Sequence, residues 1–447
     1  MPTKRAFLSG LLSSAALAAL PARVKAATPD ATLFTNVRVF NGKSDGLTEL
    51  TNVLVEGDLI KEISPVADAA PDVPRIDGNG RTLMPGLIDN HVHLQWNQAP
   101  LEFMTARPDY MAALALRECE ATLMRGFTGV RDTGGGILGI ARAVDEGIYP
   151  GPRIQACNAA IGMTAGHGDY RPRSVRPRAF GGPAITEFEA TQITIIADGV
   201  DEVLTAARDQ FRQGAHFIKV FSGGAVSGLY DPLDINEYSP AELEAAVGEA
   251  KRWNTYAASH AYMDSSIRSA IDAGFECIEH CNLMTPESME LAVEKGVWLS
   301  TQVGFFMTPI PEGFNVYQAA RQKMARDGLD AMLTLAKESG AKIALGTDFV
   351  GSLDTKATQL SELTLRTPWF SNAEILRQAT GDNGQLCALA GLRNPYQKGP
   401  VGVIEPGAYA DILLVNGDPI ADISVMGSAD NFDVIMKGGR AYKNSKM

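Results

Sequence analysis

Histidine and cysteine are scarce in this sequence, and basic residues are outnumbered by acidic ones. The 447 residues include only six histidines and five cysteines, and the formal net charge is -12 at pH 7. Because no basic stripe is available to neutralise phosphates, we do not expect nucleic acid or anionic membranes as partners. The odd cysteine count and the lack of a Cys-x-x-Cys pair argue against a disulfide framework.

Long apolar runs are also missing, apart from one near the amino terminus. Lys4 and Arg5 precede an apolar run over residues 6–20, which is short for a membrane span, and a cleavage point follows at Ala26. We interpret residues 1–26 as a secretory signal peptide and expect a periplasmic or secreted protein with no membrane span after its removal. An uncleaved interfacial helix is the alternative interpretation.

Short strands separated by turn residues follow this segment and return only near the carboxyl terminus. They cover residues 32–63, 410–415 and 432–436. We therefore predict one small β-sandwich domain built from residues 29–84 and 398–447. The chain would leave this domain, form a larger one, and come back.

Between these segments, apolar strands alternate with amphipathic helices. The alternation predicts an α/β fold over residues 85–397, and eight strands favour a TIM-like (β/α)8 barrel over an open doubly wound sheet. The predicted strands are Leu87–Leu94, Gly129–Thr133, Arg153–Cys157, Phe217–Phe221, Tyr256–His260, Cys277–His280, Val297–Thr301 and Ile343–Asp348.

Polar residues collect where the predicted barrel strands end. They are His91, His93, His260, His280 and Asp348. The carboxyl ends of barrel strands open onto one mouth, so we expect these side chains to meet there. Each histidine alone could be a hydrogen-bonded core imidazole. Together with an aspartate they suit zinc or a similar metal, whereas the six oxygen ligands of a calcium or magnesium site are absent.

Lys219 is the unusual member of this group, because it lies within the apolar segment 217–221. A buried ammonium beside metal ligands would repel the metal and would cost several kcal/mol of desolvation. Three interpretations remain open at this point. The lysine is neutral, it is chemically modified, or its head group reaches an acidic residue elsewhere.

The pattern resembles the amidohydrolase superfamily, in its binuclear branch with a carboxylated lysine. The matching residues are Pro85–Asp89 before His91 and His93, then Lys219, His260, His280, Gly346–Asp348 and the terminal segment 402–411. The resemblance implies that His91, His93 and Asp348 hold a more buried metal and that His260 and His280 hold a second. It also implies that Lys219, as N6-carboxylysine formed with CO2, bridges both. We expect zinc, although the same ligands accept manganese or cobalt.

Three further segments, residues 165–169, 222–224 and 236–239, resemble prolidase-like enzymes that release a carboxyl-terminal amino acid. They are also similar to bacterial amidohydrolases that cleave ochratoxin A, an N-acylated phenylalanine. In those relatives the residues matching His167 and Tyr238 face the substrate, binding its carboxylate or stabilising the oxyanion. From the sequence alone, His167 could instead make a loop hydrogen bond, and Tyr238 could pack beside the helix that begins near Pro240. The resemblance also implies a homo-oligomer.

The expected function is metal-dependent hydrolysis of the amide bond of N-acyl amino acids or dipeptides, with ochratoxin A as one candidate substrate. Asp348 would be the general base, while His167 and Tyr238 would contact the substrate. A cyclic-amide hydrolase similar to imidazolonepropionase and a non-catalytic metal- or solute-binding periplasmic protein are the alternatives. For Cys277 and Cys281 we expect buried packing rather than a thiolate site, and we assign no ligand role to His216.

Overall fold

The computed structural model describes residues 31–310 and 314–446. The predicted signal peptide, residues 1–26, lies outside the described residues. The strands, in chain order, are β1 (Ala31–Val39), β2 (Thr51–Glu56), β3 (Leu59–Ser64), β4 (Arg75–Asp77), β5 (Thr82–Pro85), β6 (Leu87–Val92), β7 (Phe127–Asp132), β8 (Arg153–Ala156), β9 (Ala160–Gly162), β10 (Thr194–Ile196), β11 (Ile218–Phe221), β12 (Ala257–Met263), β13 (Cys277–Leu283), β14 (Trp298–Thr301), β15 (Lys342–Leu345), β16 (Ile412–Val415), β17 (Phe432–Lys437) and β18 (Arg440–Asn444).

Helices follow most of the central strands. They are α1 (Pro100–Thr105), α2 (Pro108–Met124), α3 (Leu138–Asp145), α4 (Glu187–Ala190), α5 (Val200–Gln213), α6 (Pro240–Arg252), α7 (Asp264–Ala273), α8 (Pro286–Lys295), α9 (Gly304–Met307), α10 (Val316–Ser339), α11 (Leu353–Ala357), α12 (Ser361–Leu365), α13 (Asn372–Arg377) and α14 (Asn383–Ala388). In the described part of the chain, no helix combines the length and the apolar character that crossing a membrane requires.

The local sequence explains where these helices begin and end. In α5 the buried residues follow helical spacing, with Val203, Ala207 and Phe211 on the covered face. Gly214 ends α5 in a left-handed conformation with φ 108°, which glycine adopts without strain. Helix α6 begins at Pro240 after Ser239, whose side chain forms a capping box with Glu242.

The two ends of the chain meet in one mixed sheet. Its strand order is β18-β17-β16-β5-β1-β2-β3, with β4 paired to β1. The ends join where β16 pairs antiparallel with β5, with Leu413 opposite Met84. This sheet confirms that strands from both termini form one unit. The domain boundaries themselves stay a prediction.

The central strands form the predicted parallel barrel. Strands β6, β7 and β8 pair in one segment, and β10-β9-β11-β12-β13-β14-β15 pair in another. The third barrel strand is divided into β8 and β9, which Asn158 separates with φ 63°. The backbone N–H of His216, just before β11, donates to the carbonyl of Ala156 in β8 (2.9 Å), which links the two segments.

The barrel closes between its first and last strands through the side chain of Asn383. Its amide donates to the carbonyls of Ile88 (2.6 Å) and Leu345 (2.8 Å), and its oxygen accepts from the backbone N–H of Leu345 (3.0 Å). The backbone N–H of Asp348 also donates to the carbonyl of His91 (2.8 Å). All eight predicted strand positions are therefore occupied by strands, and the carboxyl ends of β6 and β15 lie side by side.

Candidate metal centre and active site

The first group of predicted ligands converges at the carboxyl ends of β6 and β15. Nε2 of His91 lies 3.4 Å, and Nε2 of His93 lies 3.3 Å, from the same oxygen Oδ1 of Asp348. Ligand atoms of His91, His280 and Asp348 all lie within 4.8 Å of one another. Imidazole nitrogens and a carboxylate oxygen at this spacing fit a borderline divalent metal ion such as zinc.

A second pair of imidazoles lies beside this group. Nδ1 of His260 and Nε2 of His280 are 2.9 Å apart. Burial lowers the pKa of His280 to about 3, and burial together with the neighbouring His280 lowers the pKa of His260 well below its ordinary value. Both rings are therefore neutral at pH 7, which is the form that binds a metal ion. Among the described residues, His280 belongs to the ligand group with His91 and Asp348, and His260 lies directly beside it.

Lys219 lies on β11 in full burial. Burial lowers the pKa of its ammonium, while the negative charge of Glu279 opposes that shift. Within residues 31–310 and 314–446, Lys219 takes part in no ion pair with a carboxylate, so the interpretation that its head group reaches an acidic residue has no support. Its nearest described aromatic neighbour is Phe221, whose ring centroid lies 5.5 Å from Nζ.

Groups behind the ligands fix the orientation of the two β6 histidines. Nδ1 of His91 bonds to the carboxylate of Glu279 (2.9 Å), and Nδ1 of His93 bonds to the carbonyl of Gly134 (2.8 Å). Each ring therefore presents Nε2 to Asp348. Glu279 is in turn paired with Arg131, and both side chains are buried. Burial raises the pKa of Glu279, but Arg131 and His91 together outweigh burial and hold that pKa well below its usual range.

Sequence reasoning missed Glu279 and Arg131 for a geometric reason. Glu279 directly precedes His280, and regular strand alternation would send their side chains to opposite faces. The backbone is left-handed at His280 (φ 77°) and Cys281 (φ 61°), so the alternation breaks and His91 contacts both Glu279 and His280. The predicted packing role of Cys277 and Cys281 is confirmed, because both are free and buried.

Asp89 orders the loop that carries Asp348. Its carboxylate accepts hydrogen bonds from the backbone N–H (3.0 Å) and hydroxyl (2.7 Å) of Thr347, from the amide of Gln359 (2.8 Å) and from the backbone N–H of His91 (3.1 Å). Asp348 follows with φ 54°. Burial raises the pKa of Asp348, but His91 and His93 outweigh it and leave the carboxylate ionised.

His167 lies beside the second imidazole pair. Its ring stacks on that of His260 with centroids 4.7 Å apart, and Nδ1 lies 3.4 Å from the carboxylate of Asp231. The backbone N–H of His167 donates to Glu237 (2.7 Å). Both acids are fully buried, and they come from the loop after β11. Sequence reasoning missed them, although Glu237 is adjacent to Tyr238 in the segment that carries the resemblance.

Tyr238 and His216 have other partners. The Tyr238 hydroxyl donates to the carbonyl of Ala197 (2.8 Å), and its side chain packs in the main apolar core. Its contact with substrate stays a prediction. Nδ1 of His216 accepts from the backbone N–H of Ala156 (2.9 Å), which agrees with the expectation that it is not a ligand.

The chain is similar to known proteins over most of its length. The sequence matches the amidohydrolase family model over residues 82–442. It is 29% identical to the ochratoxinase of Aspergillus niger over 384 residues, which is 81% of this chain and 75% of that enzyme. It is 25% identical to the imidazolonepropionase of Streptomyces coelicolor over 83% of this chain and 86% of that enzyme.

Solved structures give the same result. The crystal structure of a prolidase complexed with N-methylphosphonate-L-proline superimposes with a TM-score of 0.85 and 30% sequence identity, covering 93% of this chain and 100% of that one. The crystal structure of A. niger ochratoxinase gives a TM-score of 0.80 and 25% identity, with 93% and 96% covered. The chain therefore belongs to the amidohydrolase family.

Proposed function

We propose that this protein is a binuclear metal-dependent amidohydrolase that releases the carboxyl-terminal amino acid from N-acyl amino acids or dipeptides. The observation that carries the proposal is the convergence at the barrel mouth of ligand atoms from His91, His280 and Asp348, with His260 beside His280. Members of the superfamily are metal-dependent hydrolases. The similarity to ochratoxinase and to a prolidase supports ochratoxin A and dipeptides as candidate substrates.

Two divalent ions, with zinc as the expected metal, would be held by His91, His93 and Asp348 on one side and by His260 and His280 on the other. Lys219 would join them as a carbamate. The ammonium first gives up one proton, and the neutral amine then forms a C–N bond with CO2 and releases a second proton, so a cation becomes an anion. Burial of Lys219 without an ion pair supports this modification, because burial favours the neutral amine, which is the form that attacks CO2.

When bound, such ions polarise a carbonyl oxygen and lower the pKa of water towards neutrality. Asp348 is held between His91 and His93, where it can take the proton from attacking water and pass it to the leaving amine nitrogen. His167, beside His260, would hold the carbonyl oxygen or the substrate carboxylate, and Tyr238 would assist in the same region. Each lost oxyanion donor would cost about 3 kcal/mol of transition-state stabilisation.

The localisation and the assembly of the protein are further parts of the proposal. Residues 1–26 have the charge and apolar pattern of a secretory signal, so we propose a periplasmic or secreted protein. Mass spectrometry of the mature amino terminus tests this, and a retained Met1 would contradict it. The family resemblance supports a homo-oligomer, which light scattering of the purified protein would test.

A library of N-acyl amino acids and dipeptides, ochratoxin A included, tests the proposed reaction. The metal-loaded protein should release free amino acids that mass spectrometry identifies, with phenylalanine from ochratoxin A. A parallel reaction with imidazolone propionate tests the second candidate function, which the similarity to imidazolonepropionase supports. Ring opening without amino acid release would replace our proposal. Absence of any turnover with both metals loaded would favour a binding protein.

A further inference from the structure

Four aromatic side chains form a continuous group at the mouth of the barrel, which we name the aromatic wall. Its members are Trp96, Phe103, Tyr170 and Phe188. Ring centroids of Trp96 and Tyr170 are 5.8 Å apart. Phe103 packs on Trp96 at 4.8 Å, and Phe188 packs on Tyr170 at 5.0 Å. These are distances at which aromatic rings attract one another, so the group is held together.

The aromatic wall reaches both groups of predicted ligands. Trp96 lies in the loop after β6, and its ring centroid is 5.7 Å from that of His93. Tyr170 lies in the loop after β9, and its ring centroid is 6.4 Å from that of His167. Because His93 contacts Asp348 and His167 stacks on His260, the wall spans the site beside the place of the scissile amide.

Two hydrogen-bond donors of the wall have no partner within the chain. The indole Nε1 of Trp96 is buried and lacks an acceptor among the residues the structure describes. The hydroxyl of Tyr170 likewise forms no hydrogen bond within residues 31–310 and 314–446. By contrast, the Tyr230 hydroxyl donates to the carbonyl of Arg171 (2.5 Å). A buried indole N–H usually finds a partner, so the unpaired Nε1 of Trp96, close to the half-buried Tyr170, indicates a position for a ligand acceptor.

We propose that the aromatic wall is a substrate subsite for a planar aromatic ring that carries a hydrogen-bond acceptor. Trp96 and Tyr170 contact the ring and donate to the acceptor, while Phe103 and Phe188 support them from behind. This inference rests on the proposed function, because it names the substrate class of the same site. The ring can belong to the acyl group or to the released amino acid, and the substrates below separate these two sources.

The experiment uses the metal-loaded full-length enzyme and five compounds. They are hexanoyl-leucine, benzoyl-leucine, hexanoyl-phenylalanine, benzoyl-phenylalanine and salicyloyl-leucine, the last adding an acceptor beside the ring. Both kcat/KM and equilibrium binding by calorimetry are measured for wild type, Trp96→Ala, Trp96→Phe and Tyr170→Phe. Trp253→Phe is the control, because Trp253 stacks on Phe211 between the outer helices and its indole is paired with Glu249.

In wild type, kcat/KM and binding affinity should be about tenfold higher for compounds with an aromatic ring on one side of the amide than for their aliphatic counterparts. Trp96→Ala should abolish that preference while its metal content and melting temperature stay unchanged. Trp96→Phe and Tyr170→Phe should keep the aromatic preference of wild type, whether for benzoyl-leucine over hexanoyl-leucine or for phenylalanine over leucine compounds. Both variants should lose the additional affinity that the salicyloyl acceptor gives salicyloyl-leucine over benzoyl-leucine. Trp253→Phe should match wild type.

An equal loss of kcat/KM and of binding for aromatic and aliphatic compounds in Trp96→Ala would overturn the subsite. No preference in the wild type would overturn it as well. If wild type cleaves none of the five compounds, the proposed function fails. In that case calorimetry tests the subsite. The subsite requires that wild type binds aromatic compounds more tightly than aliphatic ones and that Trp96→Ala loses this difference.

Discussion

The two edges of the barrel place different residues in the left-handed backbone conformation. At the edge where helices end and strands begin, most left-handed positions are glycines, among them Gly214, Gly274, Gly296 and Gly340 with φ of 108°, 94°, 66° and 69°. The others are the amide residues Gln192 (φ 58°) and Asn254 (φ 56°). At the edge where strands end, left-handed positions with φ of 65°, 67°, 77° and 54° are occupied by Ala165, Tyr238, His280 and Asp348.

The two edges therefore differ in where the left-handed conformation strains the backbone. Glycine adopts positive φ without a steric cost, whereas another residue in a sparsely populated region costs roughly 1–3 kcal/mol. At the helix ends the conformation alone is needed, so glycine suffices. At the strand ends the side chain is needed in that place as well, and His280 and Asp348 are among the predicted metal ligands. Substitutions at Asp348 and Gly340 test this contrast directly.

The largest effect is expected from Lys219→Ala. Without the proposed carbamate the two proposed metal positions would lose a shared anionic ligand, so metal content and turnover should fall together below detection. Small carboxylates such as acetate should partly restore both. Inductively coupled plasma mass spectrometry measures the metal content, and release of amino acid from substrate measures turnover. His216→Gln is the control, because His216 lies outside the site. Two metals per chain in Lys219→Ala without added acid would contradict a bridging carbamate.

Asp348→Asn should lower kcat by about 10²- to 10⁴-fold, because the amide cannot accept the proton from water. The amide oxygen remains as a ligand, so metal content should stay close to that of wild type. Asp348→Gly sharpens the contrast between the edges. It should abolish activity while leaving the apo protein at least as stable as wild type, since glycine removes the left-handed strain at φ 54°. Near-normal turnover of Asp348→Asn would contradict the assignment.

Glu279→Gln should weaken metal binding about 10- to 100-fold, because the ring of His91 loses its charged acceptor. The affinity is measured by competition with a chelator. Glu279→Gln would also leave the buried guanidinium of Arg131 unpaired, which could destabilise the protein. The double variant with Arg131→Met removes that guanidinium, so any remaining loss of metal affinity is due to the missing acceptor for His91. If the double variant binds metal like wild type, Glu279 serves only to neutralise Arg131.

Asp231→Asn should lower kcat/KM by about tenfold with unchanged metal content, because His167 loses the carboxylate that lies 3.4 Å from Nδ1. If Asp231 acts by positioning His167, the loss of kcat/KM should resemble that of His167→Ala. The double variant Asp231→Asn, His167→Ala should then lose no more kcat/KM than His167→Ala alone. Additive losses in the double variant would mean that Asp231 acts independently of His167. Steady-state kinetics on one N-acyl amino acid suffices.

The smallest effect on chemistry is expected at the opposite edge. Gly340→Ala should reduce stability by about 1 kcal/mol through left-handed strain alone, since the added Cβ meets no atom within 4 Å. Its kcat should equal that of wild type. Urea denaturation followed by circular dichroism measures the free energy of unfolding, and the rate of amino acid release measures kcat. A large loss of activity in Gly340→Ala would break the contrast between the two edges.

The sequence was sufficient for the barrel and for the residues that meet at its mouth. Apolar strands alternating with helices predicted eight strand positions, and polar residues at their ends identified the group around Asp348. Glu279 escaped because regular strand alternation fails at His280, where φ is positive. Trp96 and Tyr170 escaped because they lie in loops without periodicity, so only the folded chain shows that their rings are neighbours.

Anomalous diffraction from crystals of the metal-loaded enzyme tests the central claim most directly. Two peaks are expected, one beside His91, His93 and Asp348 and the other beside His260 and His280, with continuous density from Nζ of Lys219 to both. A single peak, or an unmodified Lys219 with two metals bound, would contradict the binuclear centre with a bridging carbamate.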